Sequence, residues 1–458
     1  MLLSLGGVVT GALGPHGFLN TPKGFQAVRP NTPVLPFAAT LATATFLDPT
    51  ARVVHGEHVV IGSQSYVAPY ATLDAATGFI KIGSKSAVLD NATVVSDPNH
   101  LTPYPTNVRI GDQVSVGAGA LVEGPSVIGA YGTKAKPTLI GPNAVIDGAT
   151  IEPGAVVGGL ARVGPGVTVP AGEYVIPGSN VTTNAEASDR SLGMVEAIPA
   201  KVMTALSSNI ARYPALAAGY TNLYQGNSNT GASIGTSATG INNGNLSVVE
   251  GAGPEPGNGS TTVTTGIAFE PTATTPVSPS FVGPYKPAVM ANLFNFRARV
   301  IGDVRFGERP AYVARYIGNG NSIRADEGQP ITFATSPFTG RNVTIDSPGG
   351  GITTTTMMTT TFGVSKTTTT TKTTGSIKVG KNFAAGDRAV ILGGTAPSYT
   401  IGDNVTVGPG AVVINSSVGT GVTIGARAYV SGTTLKSGQN VPAGEVILNG
   451  KDLGKVQF

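Results

Sequence analysis

The chain has 458 residues, room for two or three domains, and no cysteine, which excludes disulfides and thiolate chemistry. Only 12% of residues are charged and the net charge is +4, too small and too dispersed for a nucleic-acid footprint. No apolar run reaches the ~20 residues of a membrane span, and 64 glycines with 33 prolines point to turns and short strands.

Residues 1–45 open with MLLSLGGVVTGALG, apolar and without Lys or Arg before Lys23. A secretion signal carries a basic region ahead of its apolar stretch. The reading preferred for this segment is an arm that packs on a neighbouring surface; a secretion signal lacking its basic region is the other.

Residues 46–183 carry a six-residue period. Ile110, Val116, Val122 and Ile128 follow it, as do Ile151, Val157, Val163, Val169 and Val175. Ile61, Val67 and Leu73 begin it, and Ile82, Val88 and Val94 continue it. Helices repeat every 3.6 residues and strands every 2, so neither sustains six. Hexads mark a parallel β-helix, in which each hexad supplies a short strand and a turn, and three hexads close one coil.

Residues 184–225 break the period and are richer in Ala, Leu and Met, which predicts a helical segment packed on the β-helix, interrupted at Pro199 and Pro214. Residues 226–285 are Gly, Ser, Thr and Pro-rich and read as a linker or extended arm.

Residues 286–458 restart the period. ARVVHGEHVVIG (51–62) is echoed by ARVIGDVRFG (298–307), and VTVPAGEYVIPGSNV (167–181) by QNVPAGEVILNGKDL (439–453). Ile401, Val407 and Val413 keep the period, Val418 follows after five residues, then Ile424 and Val430. This pattern predicts a tandem duplication. The second block holds a Thr-rich insert, 351–375, whose two β-branched runs suit a long hairpin. A solvated hairpin, an assembly contact and an ice-binding array are the readings open for it. The fold expected is mainly β: two tandem parallel β-helices with a short helical segment after the first.

Four stretches, FLDPTARVV (46–54), NSIRADEGQPITF (321–333), VPAGEYVIPGSNVTTNAEASD (169–189) and ALAAGYTNLY (215–224), resemble the gamma-class carbonic anhydrases. The resemblance implies a left-handed β-helix, a trimer, and zinc held by three His across a subunit interface. Zinc brings the pKa of bound water to ~7. The places matching the ligands hold Val95, Ala118 and Glu123 in the first block, and Gly350, Pro409 and Ile414 in the second. No His follows His100. His100 is the best candidate for a displaced ligand, with Glu123 or a neighbour's His; His16, His55 and His58 read as surface or capping residues. Arg324, Asp326 and Glu327 match the family's charged segment near the metal and read as a structural cluster retained between subunits or blocks. In the first block Asp74 and Ala76 stand where Arg324 and Asp326 do.

Three functions are compatible with these residues. The favoured one is a non-catalytic, self-assembling structural protein without a cofactor, its partner a second copy of itself in a trimer-based layer, sheath, shell or filament. The alternative is an enzyme: a zinc carbonic anhydrase with a rebuilt site, or a hexapeptide acyltransferase. The third is a polysaccharide- or ice-binding module, although the tyrosines do not cluster. Low charge, no Cys and abundant Thr and Asn fit an extracellular or cell-surface setting; a component of a particle or shell without secretion is the other.

Overall fold

The computed structural model describes residues 45–48, 50–75, 78–96, 107–225, 233–234, 245–249, 263–265, 280–281, 298–302, 304–307, 316–325, 330–348, 350–361, 364–374, 376–394 and 398–458. They form two parallel β-helices of hexapeptide-repeat type. In unit 1 the chain passes through faces A, B and C in turn, and each strand pairs in parallel with the strand one coil away. Unit 2 does the same through faces A′, B′ and C′.

The hexad residues are the reason the coils stack. On face C, Ile61, Ile82, Ile110, Ile128, Ile151 and Val169 are register partners from coil to coil. All are buried, with their counterparts from faces A and B, in one aliphatic core. Ile401, Val407, Val413, Val418, Ile424 and Val430 lie in the second core. Burying each such side chain contributes about 1.5–3 kcal/mol. The five-residue step from Val413 to Val418 is a tight corner: only Asn415 and Ser416 separate the strands Val412–Ile414 and Ser417–Val418. Asn415 takes a left-handed φ of 50° there, which Asn tolerates because its short polar side chain bonds locally.

The first echo falls on equivalent places. Arg52–Val54 opens face B and Ala298–Gly302 opens face B′. The second echo does not. VPAGE joins face C to face A in unit 1, but face A′ to face B′ in unit 2. Similar turn chemistry serves different corners.

Helix α1 (Asn184–Ser188) begins with a capping box between Thr183 and Glu186, and Ala187 enters the unit 1 core. Strand Val195–Ala197 then pairs antiparallel with Glu173–Val175. Helix α2 (Ala200–Gln225) lies on face A, where Leu206, Ile210, Tyr213 and Leu216 pack on Phe46, Tyr66, Ala87 and Val156. The interruption expected at Pro214 does not occur; α2 runs through it. Tyr213 and Leu216, buried on either side, hold the helix across a residue whose local cost is about 3 kcal/mol.

The expected linker is partly strand. Ser233–Ile234 pairs with Phe46–Leu47, Asn245–Val249 with Val59–Gly62, and Ser280–Phe281 with Val304–Phe306. The first coil of a β-helix leaves unpaired N–H and C=O groups, and these strands satisfy them. The Thr-rich insert forms a two-stranded sheet of its own, Gly350–Thr361 against Val364–Thr374, with Thr354, Thr355 and Thr356 opposite Thr371, Thr370 and Thr369. Residues 1–44 lie outside the described residues.

Candidate functional site at the junction of the two units

The units pack side by side through unlike surfaces. Unit 1 presents Leu89, Ala118 and Leu160 from the corners between faces A and B. Unit 2 presents the outer side of face B′: Val390, Val412, Tyr429 and Val446, with Leu392, Ile414 and Leu448 beside them. Leu160 keeps a left-handed φ of 56° that a branched side chain rarely adopts; burial at this contact, 3% exposed, offsets the strain. Gly159 allows the close approach, because a Cβ there would meet Tyr429 Cε2 at 2.6 Å. Burial pushes the Tyr429 phenol up to about 12.

Two buried ion pairs clamp the same junction. Arg299 donates to Asp48 Oδ2 at 2.7 Å, both side chains fully buried. Arg324 donates from Nε to Asp90 Oδ1 and from its Nη2 to Asp90 Oδ2, each at 2.9 Å, and from Nη2 to Asp346 Oδ2 at 2.8 Å. Ser322 Oγ adds a bond to Asp90 Oδ1 at 2.6 Å. Burial opposes the Arg324 charge, yet Asp346, Asp90 and Tyr66 outweigh it and hold its pKa well above the ordinary value. Asn143 Nδ2 donates to the carbonyls of Arg388 and Gly410 at 3.1 Å, and Asn91 Nδ2 to Thr344 Oγ1 at 3.1 Å.

The expected ligand positions fall on this frame unevenly. Val95 and Glu123 are register partners on face B. Glu123 is also the partner of Asp147, which pairs with Arg162 at 2.8 Å. Burial first, then Asp147, raises the Glu123 pKa, against the pull of Arg162. On face B′ the partner of Ile414 one coil earlier is Leu392. Gly350 therefore does not hold the place assigned to it: it begins the hairpin, and the inserted residues displaced the alignment. Ala118 from unit 1 meets Leu392 and Ile414 from unit 2 in one apolar cluster, next to a cavity of about 400 Å³ that also touches Tyr174, Tyr213 and Tyr429. Pro409 sits exposed on a unit 2 corner. Side chains of Ala, Leu, Ile and Pro offer zinc no donor atom.

His55 Nδ1 stands 3.5 Å from Asp74 Oδ1 at the surface, and His58 closes a short turn. Among the described residues no three His, Cys, Asp or Glu side chains converge as a metal-binding group. His16, Ala76, His100, Asp326 and Glu327 lie outside the described residues. Sequence reasoning missed Asp48, Asp90, Arg299 and Asp346. The signals available were the echo that pairs Arg52 with Arg299 and the stretch FLDPTARVV, which contains Asp48.

Comparisons with known proteins leave the family open. No family model matches the chain. An uncharacterized protein of Dictyostelium discoideum is 31% identical over 132 residues, 28% of this chain; the chain spans about half, 49%, of that relative. A hexapeptide transferase family protein from Anaplasma phagocytophilum is similar over 39% of this chain and 97% of its own, at 17% identity and a TM-score of 0.28. A candidate acetyltransferase from Bacillus cereus is similar over 40% of this chain and 99% of its own, at 18% identity and a TM-score of 0.20.

Proposed function

We propose that this chain is a non-catalytic structural protein, a building block whose two β-helices derive from a gamma carbonic anhydrase-like ancestor by tandem duplication. The observation that carries the reading is the apolar cluster of Ala118, Leu392 and Ile414. Positions that would converge on a metal between subunits of that family instead bury hydrocarbon between two units of one chain. A junction that gains its stability from packing and buried ion pairs has no need of a reactive centre.

The way the units meet supports assembly in this reading. A contact between unlike surfaces leaves the complement of each surface unused, and such contacts continue into rings or filaments. Here the outer side of face B remains open, with Arg52 exposed and Thr72 and Thr93 half-buried. Face A is covered by α2, whereas on face A′ Phe338 is 61% exposed beside Tyr316. A further copy of this chain, in a trimer-like or extended arrangement, would bury both surfaces. The hairpin and the N-terminal segment are additional reach between copies in a layer, sheath, shell or filament.

The test is sedimentation and negative-stain electron microscopy across a concentration series, with zinc measured per chain. Concentration-dependent assemblies without stoichiometric zinc are expected. A chain that stays single at every concentration would sink the proposal, as would one zinc per chain that His100→Ala removes.

A further inference from the structure

A second cavity lies on the other flank of the junction, with a volume of about 450 Å³. Unit 1 lines it with Arg52, Tyr70, Thr72, Asn91 and Thr93; unit 2 adds Asn342 and Arg388. Its position follows from the coil geometry. Tyr70, Asn91, Asn342 and Arg388 all occupy left-handed corner positions, with φ between 55° and 58°. These corners of the two units face each other where the packed contact ends. Arg52, Thr72 and Thr93 are register partners on successive coils, so their side chains stand in one outward row above the cavity floor.

The charge of this cavity is one-sided. Two arginines line it, one from each unit, and no Asp or Glu lines it among the described residues. Neither Arg52 nor Arg388 makes an ion pair among the described residues, although 25 acidic side chains are present in the chain. The buried carboxylates beneath, Asp48 and Asp90, are paired with Arg299 and Arg324, the latter shared with Asp346. Threonine hydroxyls and asparagine amides supply neutral hydrogen-bond donors around the two cations. Guanidinium forks match phosphate and carboxylate oxygens in geometry as well as charge. A cleft lined by one sign of charge concentrates its counter-ion, and the volume falls in the range of small-molecule sites.

We propose that this cavity binds a compact oxyanion carrying two or more negative charges, of the phosphate or polycarboxylate class, held between Arg52 of unit 1 and Arg388 of unit 2. Because the two cations come from different units, the bound anion also ties the units together. The site needs no metal and lies apart from the Ala118 cluster; its Arg52, Thr72 and Thr93 belong to the open outer side of face B, so binding is read at concentrations where the chain is single and its failure is distinct from a failure to assemble.

The experiment is isothermal titration calorimetry on the full chain at low salt, with pyrophosphate in one arm and citrate in the other. Saturable binding at one site per chain is expected for at least one of them, and the two arms separate phosphate from carboxylate as the preferred chemistry. Arg52→Gln with Arg388→Gln should weaken that binding by roughly tenfold or more while leaving the melting temperature in buffer unchanged, since both side chains are exposed. Lys436→Gln with Lys451→Gln removes two exposed charges elsewhere on unit 2 and should leave binding as it was. Thr72→Val keeps the charge and should weaken binding by a smaller factor. No saturable binding of either probe overturns the proposal. Equal loss in the arginine and lysine pairs overturns it too, because the effect is then general surface charge.

Discussion

Arg324 of unit 2 holds Asp90 of unit 1 through two hydrogen bonds of 2.9 Å, across 234 residues of sequence and with both side chains 2% exposed. The same guanidinium reaches Asp346 on the next coil of its own unit. One side chain therefore sets the stacking of unit 2 and the docking of unit 1 together.

Removing that cation should be costly. Arg324→Met leaves two carboxylates buried without their partner, a loss of about 3–5 kcal/mol. Chemical denaturation should show it, and the double variant with Asp90→Asn should recover part of the loss. Additive effects of the two substitutions would mean the pair is not coupled.

The apolar side of the junction is tested at Gly159. Gly159→Ala places a methyl group against the Tyr429 ring, which is buried and cannot swing away. Overpacking of this kind costs about 1–3 kcal/mol. A lower melting temperature is expected, and unchanged stability would show that the two units are not in firm contact there.

Glu123 makes stability depend on pH. Its folded-state pKa lies above the ordinary value of 4.5. The folded chain then binds this proton more tightly than the unfolded chain, so stability falls as pH rises through the folded pKa. Glu123→Gln should raise the melting temperature at pH 7 and lose that advantage below the ordinary pKa. A variant that is less stable than the parent at neutral pH would contradict the assignment.

Within its apolar face helix α2 carries a polar contact: the Tyr213 hydroxyl lies 2.6 Å from Ser115 Oγ. Tyr213→Phe leaves the packing and strands the serine, which should cost about 0.5–1.5 kcal/mol. Hydrogen exchange along α2 reads this directly, with faster exchange expected around Tyr213 than in the coils of face C.

The coils were legible in the sequence because their cause is local. A six-residue spacing of Ile, Val and Leu places each side chain over its equivalent one coil away, and even the five-residue step before Val418 has a local meaning as a two-residue corner. Composition likewise exposed the helical segment and the paired threonine runs. The junction was not legible. Asp48 and Asp90 look like turn residues until Arg299 and Arg324 arrive from a segment more than two hundred positions away. Leu392 could not be told from Gly350 as the neighbour of Ile414, since an insertion hides which residues share a coil and only strand register restores it. Pro214 reads as a helix break until its neighbours are seen buried on face A. Hexad spacing by itself determined that this chain winds into β-helices, because that pattern is a repulsion from water repeated at fixed intervals. Which surfaces those β-helices press together, and which charges they enclose, was decided by tertiary structure alone, because contacts between distant segments depend on shape and register that no local pattern carries.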